Sequence, residues 1–335
     1  MKMKDVAKMA GVSTSTVSRV LTRPEVVQKE TRDKVMTAVD ALNYKPNLVA
    51  RQFRRNETKI ILVVVPNITE QFFSKILKGI DDVASKNGYK VLLCDTANSI
   101  DKEMEYINLL HQKQVDGMIL LTARIDKEKL LSLADQFPVV LACEYVDVVK
   151  IPTVSINNVS SARRITEHLI TLGHQNIAHI TGCIEGIVSR DRVEGYMQAL
   201  SLHNINFNEA YVVEGDATIQ SGYNQMKNLL NFENRPTALF AHNDEMAIGA
   251  ISAVKEEGLK VPDDIAVVGF DDLEISRIVE PQLTTINQPR FEIGKKAMEL
   301  LLMRIRGESI KVEKFIMDYE LIIRDSCGGK KIVRN

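Results

Sequence analysis

Six histidines and four cysteines are the side chains of this 335-residue chain best suited to hold a metal or to act as nucleophile and base, and their spacing serves neither purpose. His111, His168, His174, His179, His203 and His242 are scattered, with no HExxH pair. Cys94, Cys143, Cys183 and Cys327 lie far apart, without a CxxC or a Cys/His cluster of zinc spacing. With three of them in apolar, strand-like runs, the cysteines read as reduced, buried and chemically quiet. No GxSxG or P-loop supports hydrolysis or phosphoryl transfer. After the apolar run Ile60–Val65 the chain continues Pro66-Asn67-Ile68-Thr69, where a nicotinamide-dependent oxidoreductase would place a glycine-rich turn to cradle a pyrophosphate. Neither metal nor cofactor is expected. What remains is recognition, and one polar cluster is suited to it: Thr14, Ser15, Ser18 and Arg19 share a face of a short stretch whose other face is Val17 and Val20.

Those side chains need a scaffold, and the flanking residues supply one. Asp5–Ala10 forms a short helix, Gly11-Val12-Ser13 a tight turn, and Thr14–Leu21 a second helix; a third, about Glu30–Leu42, contributes Val35, Ala38, Val39 and Leu42 to a small core. The pattern is that of a helix-turn-helix, in which the second helix enters the major groove of DNA; on spacing alone, a helical hairpin packed on a larger domain is the alternative. Charge favours the former. Residues 1–58 hold 12 Lys+Arg against 6 Asp+Glu, a balance of +6, leaving 31 against 38, or −7, for the rest of a chain whose net charge is −1. Concentrated positive charge neutralises phosphates and releases their counterions.

From Ile60 onward, β-branched runs alternate with amphipathic helical stretches. Ile60–Val65, Val91–Cys94, Gly117–Leu121 and Val139–Ala142 read as strands, with helical spacing between them at Phe73, Ile76, Leu77, Ile80, Val83 and Ala84 and at Met104, Ile107 and Leu110. The rhythm restarts after about residue 157: helix Asn158–Leu172 ending at Gly173, strand Ile177–Thr181, helix Arg190–Leu200, strand Ala238–Ala241, helix Glu245–Glu257 and strand Ile265–Gly269. Two doubly wound α/β lobes of parallel sheet, with a cleft between them, follow from that pattern. With 45% hydrophobic residues, no apolar leader in Met1-Lys2-Met3-Lys4-Asp5 and no uninterrupted apolar stretch long enough to span a bilayer, the expectation is a cytoplasmic protein without a membrane partner.

The run Met3-Lys-Asp-Val-Ala-Lys-Met-Ala-Gly-Val-Ser-Thr-Ser-Thr-Val-Ser-Arg-Val20, followed by Thr31-Arg32, Asn43-Tyr-Lys-Pro-Asn47 and Ala50-Arg51, resembles the N-terminal signature of the lactose/galactose-repressor family. The likeness continues through Lys113-Gln-Val-Asp-Gly-Met-Ile119, Arg192-Val-Glu-Gly-Tyr196, Asn243-Asp-Glu-Met-Ala-Ile-Gly249, Val268-Gly-Phe-Asp271 and Leu283-Thr-Thr-Ile286, so it spans essentially the whole chain. It implies a helix-turn-helix head at 1–46, a hinge helix and linker at 47–58, and a body at 59–335 like a periplasmic binding protein. The first lobe would comprise about 59–156 and 287–318, and the second about 157–286 and 319–328. A periplasmic binding protein without a regulatory role is the rival, and the basic head argues against it.

The resemblance also implies roles. Thr14, Ser15 and Arg19 would read bases, with Thr16 beside them; Arg19 can pair bidentately with guanine, while Thr14 and Ser15 discriminate less. Asn47, Ala50, Phe53 and Arg54 would belong to a hinge helix that wedges the minor groove, Phe53 standing where the family usually has leucine. Gln28 replaces the usual serine cap of the third helix. In the cleft, Phe72 and Phe73 would stand at the mouth, one of them also serving the core, with Arg190 and Arg192 on the second lobe, Asn243 in its floor, Asp271 after the last strand, and Glu144 as a further ligand group. Ala217 falls where several family members stack an aromatic ring on the ligand.

A homodimer is expected on a pseudo-palindromic double-stranded operator, and the tail after Ile323 lacks the leucine heptads of a tetrameric relative. Phe137–Tyr145, Ile151–Val154 and Asp318–Arg324 resemble a nucleoside-responsive branch, which implies a nucleoside or pentose effector, with other sugars and sugar phosphates following. Glu299 stands where relatives that dock a phosphorylated carrier protein use arginine, so that partner is not expected.

Overall fold

The computed structural model describes residues 1–44, 57–146 and 151–329. The chain divides into two units, Met1–Thr58 and Lys59–Asn335.

In the first unit the helices are α1 (Met3–Ala10), α2 (Thr14–Thr22) and α3 (Lys29–Ala41), with a 3-10 turn at Pro24–Val26. Gly11 ends α1 in the left-handed region at φ 64°, where a side chain is disfavoured, and lets Ser13 cap α2 by accepting the Thr16 N–H at 3.1 Å. Gln28 stands at the start of α3 without a capping hydrogen bond from its side chain. Val6, Ala7, Val17, Val20, Val35, Ala38 and Tyr44 form the buried core, so the inward face of α2 is the one that its spacing predicts.

The second unit holds two all-parallel sheets. Six strands, β1 (Ile60–Val65), β2 (Lys90–Asp95), β3 (Gly117–Leu120), β4 (Val139–Ala142), β5 (Thr153–Ile156) and β11 (Lys314–Met317), lie in the order β11-β5-β4-β3-β1-β2. Four more, β6 (Ile177–Thr181), β7 (Val212–Glu214), β8 (Ala238–Ala241) and β9 (Ala266–Val268), lie in the order β7-β6-β8-β9. A short antiparallel pair, β10 (Thr285–Asn287) with β12 (Glu320–Ile322), accompanies the chain as it passes between the sheets. Strands this apolar must be covered on both faces. The helices that do so are α4 (Gln71–Lys86), α5 (Ile100–His111), α6 (Lys127–Gln136), α7 (Asn158–Thr171), α8 (Ile187–Leu202), α9 (Ile219–Leu230), α10 (Asp244–Glu256) and α11 (Arg290–Ile305).

Close helix pairs fix this packing. A Cβ on Gly79 of α4 would meet the Phe291 carbonyl oxygen at 2.1 Å, and one on Gly294 of α11 would meet that of Ile76 at 2.0 Å. Only glycine permits these backbones to approach so closely. As the restart of the rhythm near 157 predicts, β6–β9 form a sheet separate from β1–β5, but the first sheet also recruits β11 from beyond residue 300.

The cysteine expectation needs correction. All four are free thiols, yet only Cys327 is buried; Cys94 and Cys143 are half-buried and Cys183, just past β6, is exposed. Cys183 lies at the carboxyl end of its strand, where the chain leaves the sheet, rather than in the run itself.

Candidate DNA-reading and effector-binding sites

On α2 the side chains divide by role. Ser15 and Thr16 turn their hydroxyls toward Ser13 Oγ, at 2.7 and 2.9 Å, and so belong partly to the cap. Thr14 and Arg19 are exposed, and neither side chain has a hydrogen-bond or ion-pair partner among the described residues. Asn47, Ala50, Phe53 and Arg54 lie outside the described residues.

In the body, the sequence candidates gather beyond the carboxyl ends of both sheets, the crevice in which open α/β folds bind ligands. β1 ends at Val65 and leads through Glu70 into the first turn of α4, which carries Phe72 and Phe73. The two rings meet edge to face at 5.2 Å; Phe73 is buried in the core, whereas Phe72 is half-buried with the Arg290 guanidinium 6.0 Å over its ring. Glu144 follows β4 and lies 3.6 Å from Arg124. Burial pushes its carboxyl above the ordinary range, against the pull of Arg124 and a hydrogen bond from Thr122. The loop carrying Arg124 is itself held by buried Glu103, which accepts the Arg124 and Ile125 N–H groups.

On the other sheet, Arg192 is 5% exposed and fully engaged. It projects from α8 to donate Nε–H to Asn158 Oδ1 at 3.1 Å and an Nη1 hydrogen to the His242 carbonyl at 2.5 Å. Its guanidinium lies 3.6 Å over the Phe270 ring, and Nη2 is 3.9 Å from Asp271 Oδ1. Burial lowers its pKa to about 10, which leaves it charged at neutral pH. Asp271 follows β9 at φ 109°, a backbone region that a residue with a Cβ occupies at a cost of order 1–3 kcal/mol and that marks functional sites. It is held there by its N–H to the Ile286 carbonyl at 2.8 Å and by Gln288 Nε2, which donates to Oδ1 at 2.7 Å. Burial raises the carboxyl to about 6, while Arg192, Arg290 and Gln288 oppose the rise.

Asn243 is the N-cap of α10: its Oδ1 accepts the Met246 N–H at 2.8 Å and its Nδ2 donates to the Ala217 carbonyl at 2.9 Å. Next to it, Asp244 is fully buried and accepts from Leu273 N, Ser276 Oγ and Thr285 Oγ1. Burial, then the charge of Asp271, pushes Asp244 up to about 7. Arg190, two residues and so about half a turn before Arg192 on α8, is exposed and stands apart from the Arg192 cluster. Bonds also bridge the two sheets. Tyr145 Oη donates to Asp191 Oδ1 at 2.9 Å, and Arg290 Nη2 donates to the Asp272 carbonyl at 2.9 Å. At the outer end, Lys75 stands 3.8 Å from Glu274, beside a groove of about 220 Å³ that they share with Gln71, Ser74, Lys78, Leu273 and Arg290.

Sequence reasoning missed Gln288, Arg290, Phe270, Asn158 and the acids Glu70 and Asp244. Phe270 and Asp244 sit inside motifs already singled out, so their neighbours could have drawn attention to them; the others carry no local pattern.

Residues 2–47 match the model of bacterial regulatory proteins of the lacI family, and residues 58–323 match that of periplasmic binding proteins and the sugar-binding domain of the LacI family. The chain belongs to the LacI family. It is 41% identical over 325 residues to the HTH-type transcriptional repressor CytR of Escherichia coli K12, covering 97% of this chain and 95% of that one. It is 36% identical over 326 residues to the HTH-type transcriptional repressor PurR of Vibrio campbellii, covering 97% and 98%. Among solved structures, the Lac repressor dimer bound to operator and the anti-inducer ONPF superposes with a TM-score of 0.88 at 31% identity, covering 98% of this chain and 99% of that one. Members of the LacI family are DNA-binding transcriptional regulators with an effector-binding body, not enzymes, and this chain is one of them. Among the described residues no helix is long and apolar enough to cross a membrane.

Proposed function

We propose that the chain is a cytoplasmic repressor that binds a pseudo-palindromic operator as a homodimer and whose DNA affinity is set by a nucleoside or pentose held between the lobes. Residues 1–46 are the reading head, 47–58 the hinge, and 59–335 the effector-binding and dimerisation body; its lobes are about 59–156 with 287–318, and about 157–286 with 319–328. Thr14, Ser15, Thr16 and Arg19 contact the major groove, and Asn47, Ala50, Phe53 and Arg54 the minor groove. Phe72, Glu144, Arg190, Arg192 and Asp271 line the ligand site, with Phe73 and Asn243 holding its walls.

The observation that carries the effector reading is the buried Arg192–Asp271 pair over Phe270, beyond the carboxyl ends of the strands. A carboxylate beside a stacked guanidinium suits vicinal hydroxyls, which accept from one and donate to the other. A ligand that favours one lobe arrangement changes operator affinity only through its differential binding to the two states. Induction, meaning weaker operator binding with ligand, is the direction proposed.

A thermal-shift screen of nucleosides, pentoses, hexoses and sugar phosphates, repeated on Asp271→Ala and followed by operator titration, tests the reading. A nucleoside or pentose should raise the Tm of the wild type, lose its effect in the variant and weaken operator binding. A shift with hexoses alone, or a hit that tightens operator binding, would contradict the effector or the direction.

A further inference from the structure

We propose that the outer groove between α4 and the Leu273-Glu274 segment binds a small phosphate-bearing anion, inorganic phosphate or a monoester, at a site separate from the cleft of Arg192 and Asp271. None of its residues belongs to the effector site proposed above, so the two sites stand or fall separately.

The groove, of about 220 Å³, is walled from both sheets. α4 follows β1 and offers Gln71, Ser74, Lys75 and Lys78, whose spacing puts all four on one stripe of the helix. Leu273 and Glu274 follow β9 and form the other wall, and Arg290 opens α11 at one end. Water takes roughly 30 Å³ per molecule in the liquid, so the space holds several waters and suits a phosphate group with a short substituent.

Charge decides what fits. Three cations, Lys75, Lys78 and Arg290, line the groove against one carboxylate, Glu274. Lys75 and Glu274 are both exposed and 3.8 Å apart, and Lys78 forms no ion pair among the described residues. The acids nearest in the chain are already held. Asp82, one turn along α4 from Lys78, pairs with Lys86 at 2.7 Å; Glu292, in the first turn of α11, pairs with Lys295 at 2.9 Å; Asp272, just before Leu273, pairs with Arg277 and Arg324. Glu70, the residue before Gln71, does not line the groove. A recess lined by an excess of one sign concentrates the opposite charge.

Arg290 makes the recess a built site. It is 4% exposed, so its guanidinium is fixed by the fold, yet the one hydrogen bond it donates among the described residues is from Nη2 to the Asp272 carbonyl at 2.9 Å. Its other N–H donors have no acceptor there, and a buried donor without an acceptor is costly, so an oxyanion that enters the groove gains more from Arg290 than from an exposed lysine. The groove also receives the first turns of two helices of 16 residues, α4 at Gln71 and α11 at Arg290, neither closed by a side-chain cap. Both positive helix ends therefore lie beside the anion. A phosphate seated there meets Lys75, Lys78 and Arg290 together, takes the place of Glu274 beside Lys75, and ties one sheet to the other.

The test follows the melting temperature of full-length protein against inorganic phosphate and, separately, ethyl phosphate at constant ionic strength; ethyl phosphate is an ester without a sugar for the cleft to take. Four proteins are compared: wild type, Lys78→Gln, Glu274→Gln and Lys90→Gln, the last making the same change of charge on β2, outside the groove. All three substituted residues are exposed, so the fold is not at risk. Lys78→Gln should raise the concentration needed for a given shift roughly threefold or more, Glu274→Gln should lower it by a similar factor, and Lys90→Gln should leave it unchanged. Phosphate held by the basic head is common to all four proteins and cancels. Equal responses in the wild type and Lys78→Gln overturn the proposal, as does a change in Lys90→Gln as large as that in Lys78→Gln. The source of the anion is read from the stronger of the two groove-dependent responses, free ion or ester; absence of both overturns the site.

Discussion

In the head, Thr14 and Arg19 stand exposed on α2 above a core of small side chains, without a hydrogen-bond or ion-pair partner among the described residues. In the body, Arg192 and Asp271 are buried, paired with each other and tied to Asn158, His242, Phe270 and Gln288. A side chain that must meet a rigid outside partner can be left free, because the partner supplies the geometry. A site that must enclose a small, mobile ligand has to be pre-organised by the protein, so its polar groups are held in place before the ligand arrives. Recognition should therefore be separable from stability in the head and inseparable from it in the body.

The largest expected effect tests the second half of that contrast. Arg192→Ala removes the cation from beside a buried carboxylate and should destabilise the body by roughly 3–5 kcal/mol in chemical denaturation at pH 8. An unchanged denaturation midpoint would place the pair with exposed ion pairs, which contribute little. Next comes Arg19→Ala, which should lower affinity by about 1–3 kcal/mol at one operator position and relax base preference there, with the melting temperature unmoved. A binding-site selection with an unaltered consensus would take Arg19 out of the reading role.

Ser13→Ala lies between the two cases, because Ser13 caps α2 and also anchors Ser15 and Thr16. It should cost the head about 1 kcal/mol and blur base preference together, measured by melting of the head and by binding-site selection.

The smallest effect is one of pH, and it should come from the body. Asp271 is raised to about 6 and Asp244 and Glu70 to about 7, each first by burial. An acid whose pKa is higher folded than unfolded binds protons more tightly in the folded state, so it stabilises on protonation. Its contribution is complete below the unfolded value near 4 and is lost as pH rises through 6 to 7. The body should therefore gain stability from these groups between pH 8 and pH 5, and Glu70→Gln should flatten that slope. A flat profile would show that these acids ionise in the fold as they do unfolded.

The strand and helix rhythm of the body was legible because fully buried parallel strands must be largely apolar: β1, β3, β4 and β8 are so throughout, and β6 is interrupted only by buried His179 and Thr181. Boundaries were read less well where side-chain chemistry conflicts with the element. α8 begins at Ile187, three residues before the expected start, because Ile187-Val188 is β-branched and Gly186 offers no side-chain cap. The β10–β12 pair went unread, since strands of three residues carry no period. Arg192 and Asp271 could be named from their motifs. The Phe270 ring beneath the guanidinium and the Gln288 amide on the carboxylate belong to tertiary geometry, which brings together residues that no local pattern connects.

The first sheet is finished by a strand that comes more than 150 residues after its neighbour β5 in the chain. β11 extends the sheet beside β5, and α11 lies against α4 through the Gly79 and Gly294 contacts, so the N-terminal strands lack an edge partner and a cover until residues beyond 310 emerge from the ribosome. Until then, nascent protein exposes apolar surface that a complete body hides. Translation that stops anywhere before β11 should thus yield a product whose body is unfinished and open to degradation.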